Sequence, residues 1–206
     1  MLSIILVAKD AAPFIEGAIA LARQAAEETG AQVIAVDGHS SDGTWETLRQ
    51  QAGWKVCQQQ APGLAAARNQ AIELADTELI AFLDVDDQWL PGKLTTQLEH
   101  LRQSPKTEIV SCLLRRVGAG EGNTLHHALT PSGCVIRHSA FDKVGLFDTR
   151  YQLACDHEWF MRTRQLDVAI EILPICLMLK RIHDQNLSRD RTLYRRELFE
   201  ILRTDG

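Results

Sequence analysis

Three carboxylates fall within four residues of the stretch "ELIAFLDVDDQWLPGKL" (Glu78 to Leu94): Asp84, Asp86 and Asp87. They follow Leu79 to Leu83, a run apolar enough to be a buried strand. Like charges this close repel, and desolvation adds to the cost unless a cation is present. A hard divalent ion resolves the conflict. Mg²⁺ or Mn²⁺ takes oxygen ligands and commonly bridges one or two carboxylates to substrate phosphates. The plainer alternative is a solvated acidic turn before a helix, whose N-terminus favours negative charge.

Two further stretches offer chemistry. "VDGHSSDGT" (Val36 to Thr44) has glycines for a tight turn and polar side chains at a helix start, and by itself reads as a capped loop. "PGLAAARNQAIELA" (Pro62 to Ala75) carries Arg68 and Asn69 in mid-helix. From there an arginine can pair with the acidic cluster or with a diphosphate.

The elements that would position these residues alternate between strand and helix. Ile4 to Ala8, Gln32 to Val36, Trp54 to Cys57 and Leu79 to Leu83 read as strands. Pro13 to Glu28, a helix started at Ser41 or Asp42 and running to about Gln51, Pro62 to Ala75, and Pro91 to Gln103 read as helices. Pro at a helix start and apolar residues at helical spacing (Phe14, Ile15, Ala18, Ile19, Ala22) support the first of these. Strands that are apolar throughout, alternating with helices, imply an α/β fold with a mostly parallel sheet covered on both faces. Ligands of such sheets sit at the carboxyl ends of the strands. Asp37 and the acidic triplet would both lie on that edge.

The second half is less regular. Glu108 to Val117, Cys134 to Arg137, Val168 to Leu173 and Leu177 to Ile182 read as strands, and Asp156 to Gln165 as a helix. "GAGEGN" (Gly118 to Asn123) reads as a flexible loop, with His126 and His127 in the same loop region and solvated. A basic amphipathic helix from about Asp190 to Arg203 closes the chain.

With 206 residues the chain fits one domain and buries roughly 70% of its unfolded surface. A net charge of −5 excludes a global basic field aimed at nucleic acid. The apolar run Leu2 to Val7 is too short for a signal peptide or a membrane span, so the expected location is the cytosol. Five cysteines without a CxxC argue against a disulfide framework and a zinc site.

The collinear set "SIILVAKDAAPFIEGAI", "VIAVDGHSSDGT", "GLAAARNQAIELADTELIAFLDVDDQWLPGKL" and "CDHEWFMR" resembles family 2 glycosyltransferases of the GT-A fold, from about Ser3 to about Ser188. The resemblance implies a Rossmann-like sandwich and inverting transfer of a sugar from a nucleotide-diphospho-sugar, UDP-sugar foremost, to an acceptor hydroxyl with Mn²⁺ or Mg²⁺. It implies that Asp37 holds the base and that Asp84 faces ribose or sugar. Asp86 would bind metal, and Asp87 extends the acidic patch. Arg68 would neighbour the donor, and Asp156 would be the general base, trailed by Arg162. Arg181 and His183 would reach the diphosphate or the metal. A glycosyltransferase domain over 1–188 and a separate C-terminal helix over 189–206 complete the expected layout.

The sequence departs from the family pattern at three places. Asp37-Gly38 stands for Asp-Asp, Val7-Ala8-Lys9-Asp10 for Pro-x-Tyr-Asn, and Cys155 for the Glu of a Glu-Asp pair. A non-catalytic nucleotide-sugar binder is therefore the alternative. A sugar nucleotidyltransferase would need a glycine-rich basic loop after the first strand, and a phosphoacceptor receiver domain would be about half this length. Asp156 has a plainer reading as a helix N-cap. The last helix, with Arg189, Arg191, Arg195 and Arg196 near Leu193, Leu198 and Ile201, packs on its own domain or a dimer partner. The competing site for it is an anionic membrane face, where lipid-linked acceptors would lie.

Overall fold

The computed structural model describes residues 1–118, 120–184 and 190–204. The first half builds four parallel strands. These are β1 (Leu2–Ala8), β2 (Gln32–Asp37), β3 (Lys55–Gln58) and β4 (Leu79–Asp84). Between them run helices α1 (Ile15–Thr29), α2 (Thr44–Leu48) and α3 (Leu64–Leu74). The strands stand in the order β3-β2-β1-β4, with Ala8 beside Asp37 and Val7 beside Asp84. That register puts both aspartates on one carboxyl edge.

The chain then adds β5 (Gln88–Trp89), α4 (Lys93–Gln103), β6 (Ile109–Val117), β7 (Leu125–His127) and β8 (Val135–Arg137). It closes with α5 (His138–Val144), α6 (Cys155–Gln165), β9 (Ile170–Arg181) and α7 (Arg191–Thr204). The sheet continues past β4 as β8-β6-β9-β5, with β7 on β6. It is mixed: β8 runs antiparallel to β4 and β6, while β9 runs parallel to β6. Most of its paired length is parallel. The fold is α/β, a curled sheet between two helical layers.

Each face of the sheet buries its own core. One core holds Ile4, Leu6, Leu48, Leu83, Leu94 and Leu101 under α1, α2 and α4. The other holds Ile5, Ile34, Ile72, Phe82, Phe141, Trp159 and Ile201 under α3, α5, α6 and α7. In α3 the residues facing the sheet include Ala65, Ala67 and Ala71. Small side chains there let the helix sit close and carry Arg68 into the interior. The five cysteines are free thiols, and no helix among the described residues is long and apolar enough to cross a membrane.

Three local readings are corrected. Val168 to Leu173 and Leu177 to Ile182 are not separate strands but parts of the single strand β9. Its pairing with β6 skips from Ile172 to Cys176, and Pro174 lies in that irregularity. Proline cannot donate to the ladder, so it is tolerated where the ladder is already broken. His126 and His127 lie in β7, paired to Leu114 and Leu113, rather than in a loop. The helix after β2 stops at Leu48 instead of about Gln51. The proposed boundary between Ser188 and Arg189 lies outside the described residues, as does Arg189 itself.

Candidate functional site

The carboxyl edge carries two groups of acidic side chains. At the end of β2, Asp37 is fully buried. Its Oδ2 accepts hydrogen bonds from the Ser40 amide (3.0 Å) and the Gln58 side chain (3.4 Å). Its Oδ1 is buried with no hydrogen-bond partner among the described residues. A buried polar atom left unpaired costs about 1–3 kcal/mol, so a ligand N–H at that point would be rewarded.

The loops that frame Asp37 are sewn together. The Asp10 carboxylate accepts from the Ser41 amide (2.8 Å), and Asp42 accepts from the Ala12 amide (2.8 Å). Lys9 lies flat over Gly38, where an added Cβ would stand 2.8 Å from the Lys9 Cβ. Two departures from the family pattern, Lys9 and Gly38, are thus one packing arrangement.

At the end of β4 the chain turns back, with the Asp87 amide bonded to the Asp84 carbonyl. Arg68, buried in α3, reaches this turn. One guanidinium nitrogen donates to Asp84 Oδ1 at 3.0 Å and the other donates to Asp156 Oδ1. Arg68 thus pairs with the acidic cluster and, through Asp156, with α6. Burial alone would lower the arginine pKa, but Asp156 and Asp84 together reverse this and raise it. Its rim packs on Phe82 and Phe147. Asn69, next in sequence, exchanges two hydrogen bonds with the backbone of Phe147 (2.8 and 2.9 Å), which pins the loop before α6.

Asp156 lies in the first turn of α6 and does not cap it; Ala154 is the N-cap and no side chain there makes a capping bond. Its side chain is instead turned to Arg68. The buried Cys155 thiol also approaches Asp156 Oδ1 (3.6 Å). Burial, then the charge of Asp156, pushes that thiol up to about 12, so it stays neutral and acts as a donor. Asp156 Oδ2 has no protein partner among the described residues. The trailing Arg162 is engaged elsewhere: it pairs with Glu158 and donates to the carbonyls of Val144 and Leu146.

Asp86 and His183 meet across the turn, Oδ2 to Nε2 at 3.0 Å. The His183 ring packs on Phe14, centroids 4.7 Å apart, and the Arg181 guanidinium lies 5.8 Å from the Phe14 ring. Arg181 shares a cleft with Asp87, Gln88 and the start of α1. Asp87 points inward. Lys180 lies 3.8 Å away, and by hydrogen-bond geometry neither carboxylate oxygen has a partner among the described residues, although the Ser132 side chain is near enough to pull the pKa down slightly. Burial pushes this carboxyl up to about 7, against the pull of Lys180 and with the repulsion of Asp84 and Asp86.

Lys180 escaped the sequence reading. Its neighbour Arg181 lies in the same "KRIHD" segment, and successive strand residues point to opposite faces, so the ion pair of Lys180 with Asp87 is not legible from the run of cations alone.

The donor set fits a divalent ion. Around the turn Arg68 pairs with Asp84 and Asp156, Lys180 lies near Asp87, and Asp86 meets His183. Asp86 and His183 supply one oxygen and one nitrogen. No group of three or more metal-ligating side chains converges among the described residues. Substrate oxygens would have to complete the shell, as is usual for ions that bridge phosphates.

The sequence model described as Glycosyl transferase family 2 matches residues 3–200. The chain belongs to glycosyl transferase family 2. Among curated relatives of this family 2 member, TuaG of Bacillus subtilis (strain 168), named as a teichuronic acid biosynthesis glycosyltransferase, is 39% identical over 77 residues. The match takes in 35% of this chain and 31% of TuaG. TarS of S. aureus, in complex with UDP-GlcNAc, superposes with a TM-score of 0.74 at 20% identity. That match covers 90% of this chain and 59% of the TarS chain of residues 1–349. The mannosyltransferase PcManGT of Pyrobaculum calidifontis, in complex with GDP-Man and Mn²⁺, gives 0.76 at 18% identity over 99% of this chain and 63% of its own. The two solved structures share the GT-A fold with this family 2 chain. It spans less than two thirds of each of these proteins.

Proposed function

We propose that this family 2 chain is a metal-dependent inverting glycosyltransferase that moves a sugar from a nucleotide-diphospho-sugar, a UDP-sugar foremost, to an acceptor hydroxyl. The observation that carries the proposal is Arg68 joined to Asp84 and to Asp156. It holds a carboxylate from α6 beside the acidic turn of β4, where a donor diphosphate would lie. A UDP-GlcNAc complex of one neighbour and a GDP-Man and Mn²⁺ complex of another support the ligand class. A cytosolic location, with peripheral contact at the inner membrane face as its variant, belongs to the same proposal.

Each residue then has a task. Asp37 Oδ1 accepts an N–H from the base. Asp84, fixed by Arg68, faces ribose or sugar. Asp86 and His183 hold the metal, which when bound neutralises charge developing on the leaving diphosphate. Arg181 adds a positive charge near the same oxygens. Asp156 uses Oδ1 for Arg68 and keeps Oδ2 to take the proton of the attacking hydroxyl. Arg68 keeps this carboxylate oriented.

The test is a melting-temperature panel of UDP-, GDP- and dTDP-sugars with and without Mn²⁺. A donor at 100 times its dissociation constant stabilises the protein by about 2.7 kcal/mol. The expected result is a shift from UDP-sugars that needs Mn²⁺ and disappears in Asp86→Ala. No shift from any nucleotide-sugar would overturn the proposal. Donor binding without metal-dependent turnover would favour the non-catalytic binder.

A further inference from the structure

α7 carries a charged residue on its buried face. Tyr194, Glu197, Leu198 and Ile201 recur at helical spacing, and all four pack inward. Glu197 is only 3% exposed. Its carboxylate accepts three consecutive backbone amides: Gln152 on Oε1 (2.8 Å), and Leu153 and Ala154 on Oε2 (2.9 and 2.8 Å). These amides lead directly into α6, whose first turn holds Asp156 two residues beyond Ala154. One turn earlier on α7, the Tyr194 hydroxyl lies 3.1 Å from the ring of His157, the residue after Asp156. α7 therefore grips the chain on both sides of Asp156.

The arrangement exceeds what a helix start needs. One capping side chain commonly satisfies one or two free amides of a first turn. Here a carboxylate from another helix, about forty positions away in sequence, takes three in a row and fixes the entry angle of α6. On the far side Arg68 holds the Asp156 side chain. With backbone and side chain both held, Oδ2 has one direction to face. A misplacement of about 1 Å at a reacting group can cost about 10²-fold in rate.

We infer that Glu197 is a positioning residue for Asp156, acting through the Gln152–Ala154 backbone and assisted by Tyr194. The inference rests on the reading of Asp156 as the base. The sequence signal is a glutamate on the apolar stripe of the last helix, where a leucine would serve if the helix only had to pack.

The test compares the parent with Glu197→Gln, Tyr194→Phe and Asp156→Asn. An amide offers one acceptor oxygen where the carboxylate offers two, so Glu197→Gln loosens the grip without emptying the space. The first readout is the NMR signal of the buried Arg68 guanidinium N–H groups, which reports the Asp156 contact and needs no acceptor. The second is metal-dependent hydrolysis of the nucleotide-sugar that gives the largest thermal shift in the panel above, with donor affinity measured alongside.

The expected result is an Arg68 signal displaced in Glu197→Gln towards its position in Asp156→Asn. Hydrolysis should fall by about 10²-fold with donor affinity within about twofold of the parent. Tyr194→Phe should move both in the same direction by less. A purely structural Glu197 would lower the melting temperature yet leave the Arg68 signal and the rate of the folded protein alone, and that result overturns the inference. Should Glu197→Gln fail to fold, the same readouts in Tyr194→Phe decide: an unmoved Arg68 signal there overturns it equally. A displaced Arg68 signal together with unimpaired hydrolysis in Asp156→Asn would instead retire the base assignment while the positioning of Asp156 stands.

Discussion

The two ends of the carboxyl edge solve the problem of buried charge in opposite ways. At the β2 end, Asp37 keeps one oxygen supplied by Ser40 and Gln58 and leaves the other buried and unpaired among the described residues. At the β4 end, Asp84 and Asp156 share the cation of Arg68 before any ligand arrives. An unpaired acceptor rewards a ligand that brings a donor, which is the physics of recognition. A paired carboxylate with one oxygen free gains little from a bound ground state and is held ready for a proton, which is the physics of rate. The difference is what the proposed function would need: affinity for the base at one end, transfer at the other.

The largest expected effect lies at the transfer end. Asp156→Asn keeps size and shape but removes the basic carboxylate, so steady-state turnover should fall by about 10²–10⁴-fold. An unchanged rate in the folded variant would break the comparison there.

Next comes Arg68→Met, which leaves Asp84 and Asp156 facing each other without their cation. Removing one partner of a buried pair costs about 3–5 kcal/mol. The two carboxylates keep 26% and 22% of their side chains exposed, which argues for the lower figure. Urea denaturation would measure it, and a loss under about 1 kcal/mol would mean the pairing holds nothing together.

Asp87 sharpens the contrast from within the β4 end, because its carboxylate is buried with no well-formed hydrogen bond among the described residues. Its carboxyl is carried from 3.8 up to about 7. A carboxyl with a raised folded pKa contributes stability that is full below the unfolded value and is lost as pH rises through the folded one. The parent should thus lose stability relative to Asp87→Asn between about pH 4 and pH 7, by at most about 4 kcal/mol. Thermal melts of both proteins across that range give the curve; parallel melting profiles would contradict it.

The smallest effect is expected at Gly38→Ala, whose new Cβ meets Lys9. Overpacking of this kind costs about 1–2 kcal/mol, and Lys9→Gly in the same chain should restore it. No rescue would mean the two family departures are unrelated.

The same contrast explains what the sequence made legible. The strands β1, β2 and β4 are buried on both faces, so they read as unbroken apolar runs, and their aspartates stand out at the ends. β5 has two residues and β7 three, too few for any period to register. α5 passed unnoticed because its seven residues carry no long apolar stripe. β9 read as two strands because Pro174 interrupts it, and only the irregular pairing with β6 shows that the chain continues.

At the site, residue types were legible and partnerships were not. Arg68 and Asp156 are 88 positions apart, and nothing local links them. Lys180 and Arg181 are adjacent cations, and strand geometry alone decides that Lys180 pairs with Asp87. Glu197 lay inside a helix read for its arginines.

The division of labour has a direct test that needs no acceptor: isothermal titration of UDP-glucose with Mn²⁺ into Asp37→Ala and Asp156→Asn. Losing a hydrogen bond to a charged acceptor costs about 1.5–3 kcal/mol, or roughly ten- to a hundredfold in affinity. The account predicts that loss in Asp37→Ala and parent-like affinity in Asp156→Asn. Equal weakening of both variants, or parent-like binding by Asp37→Ala, would contradict it.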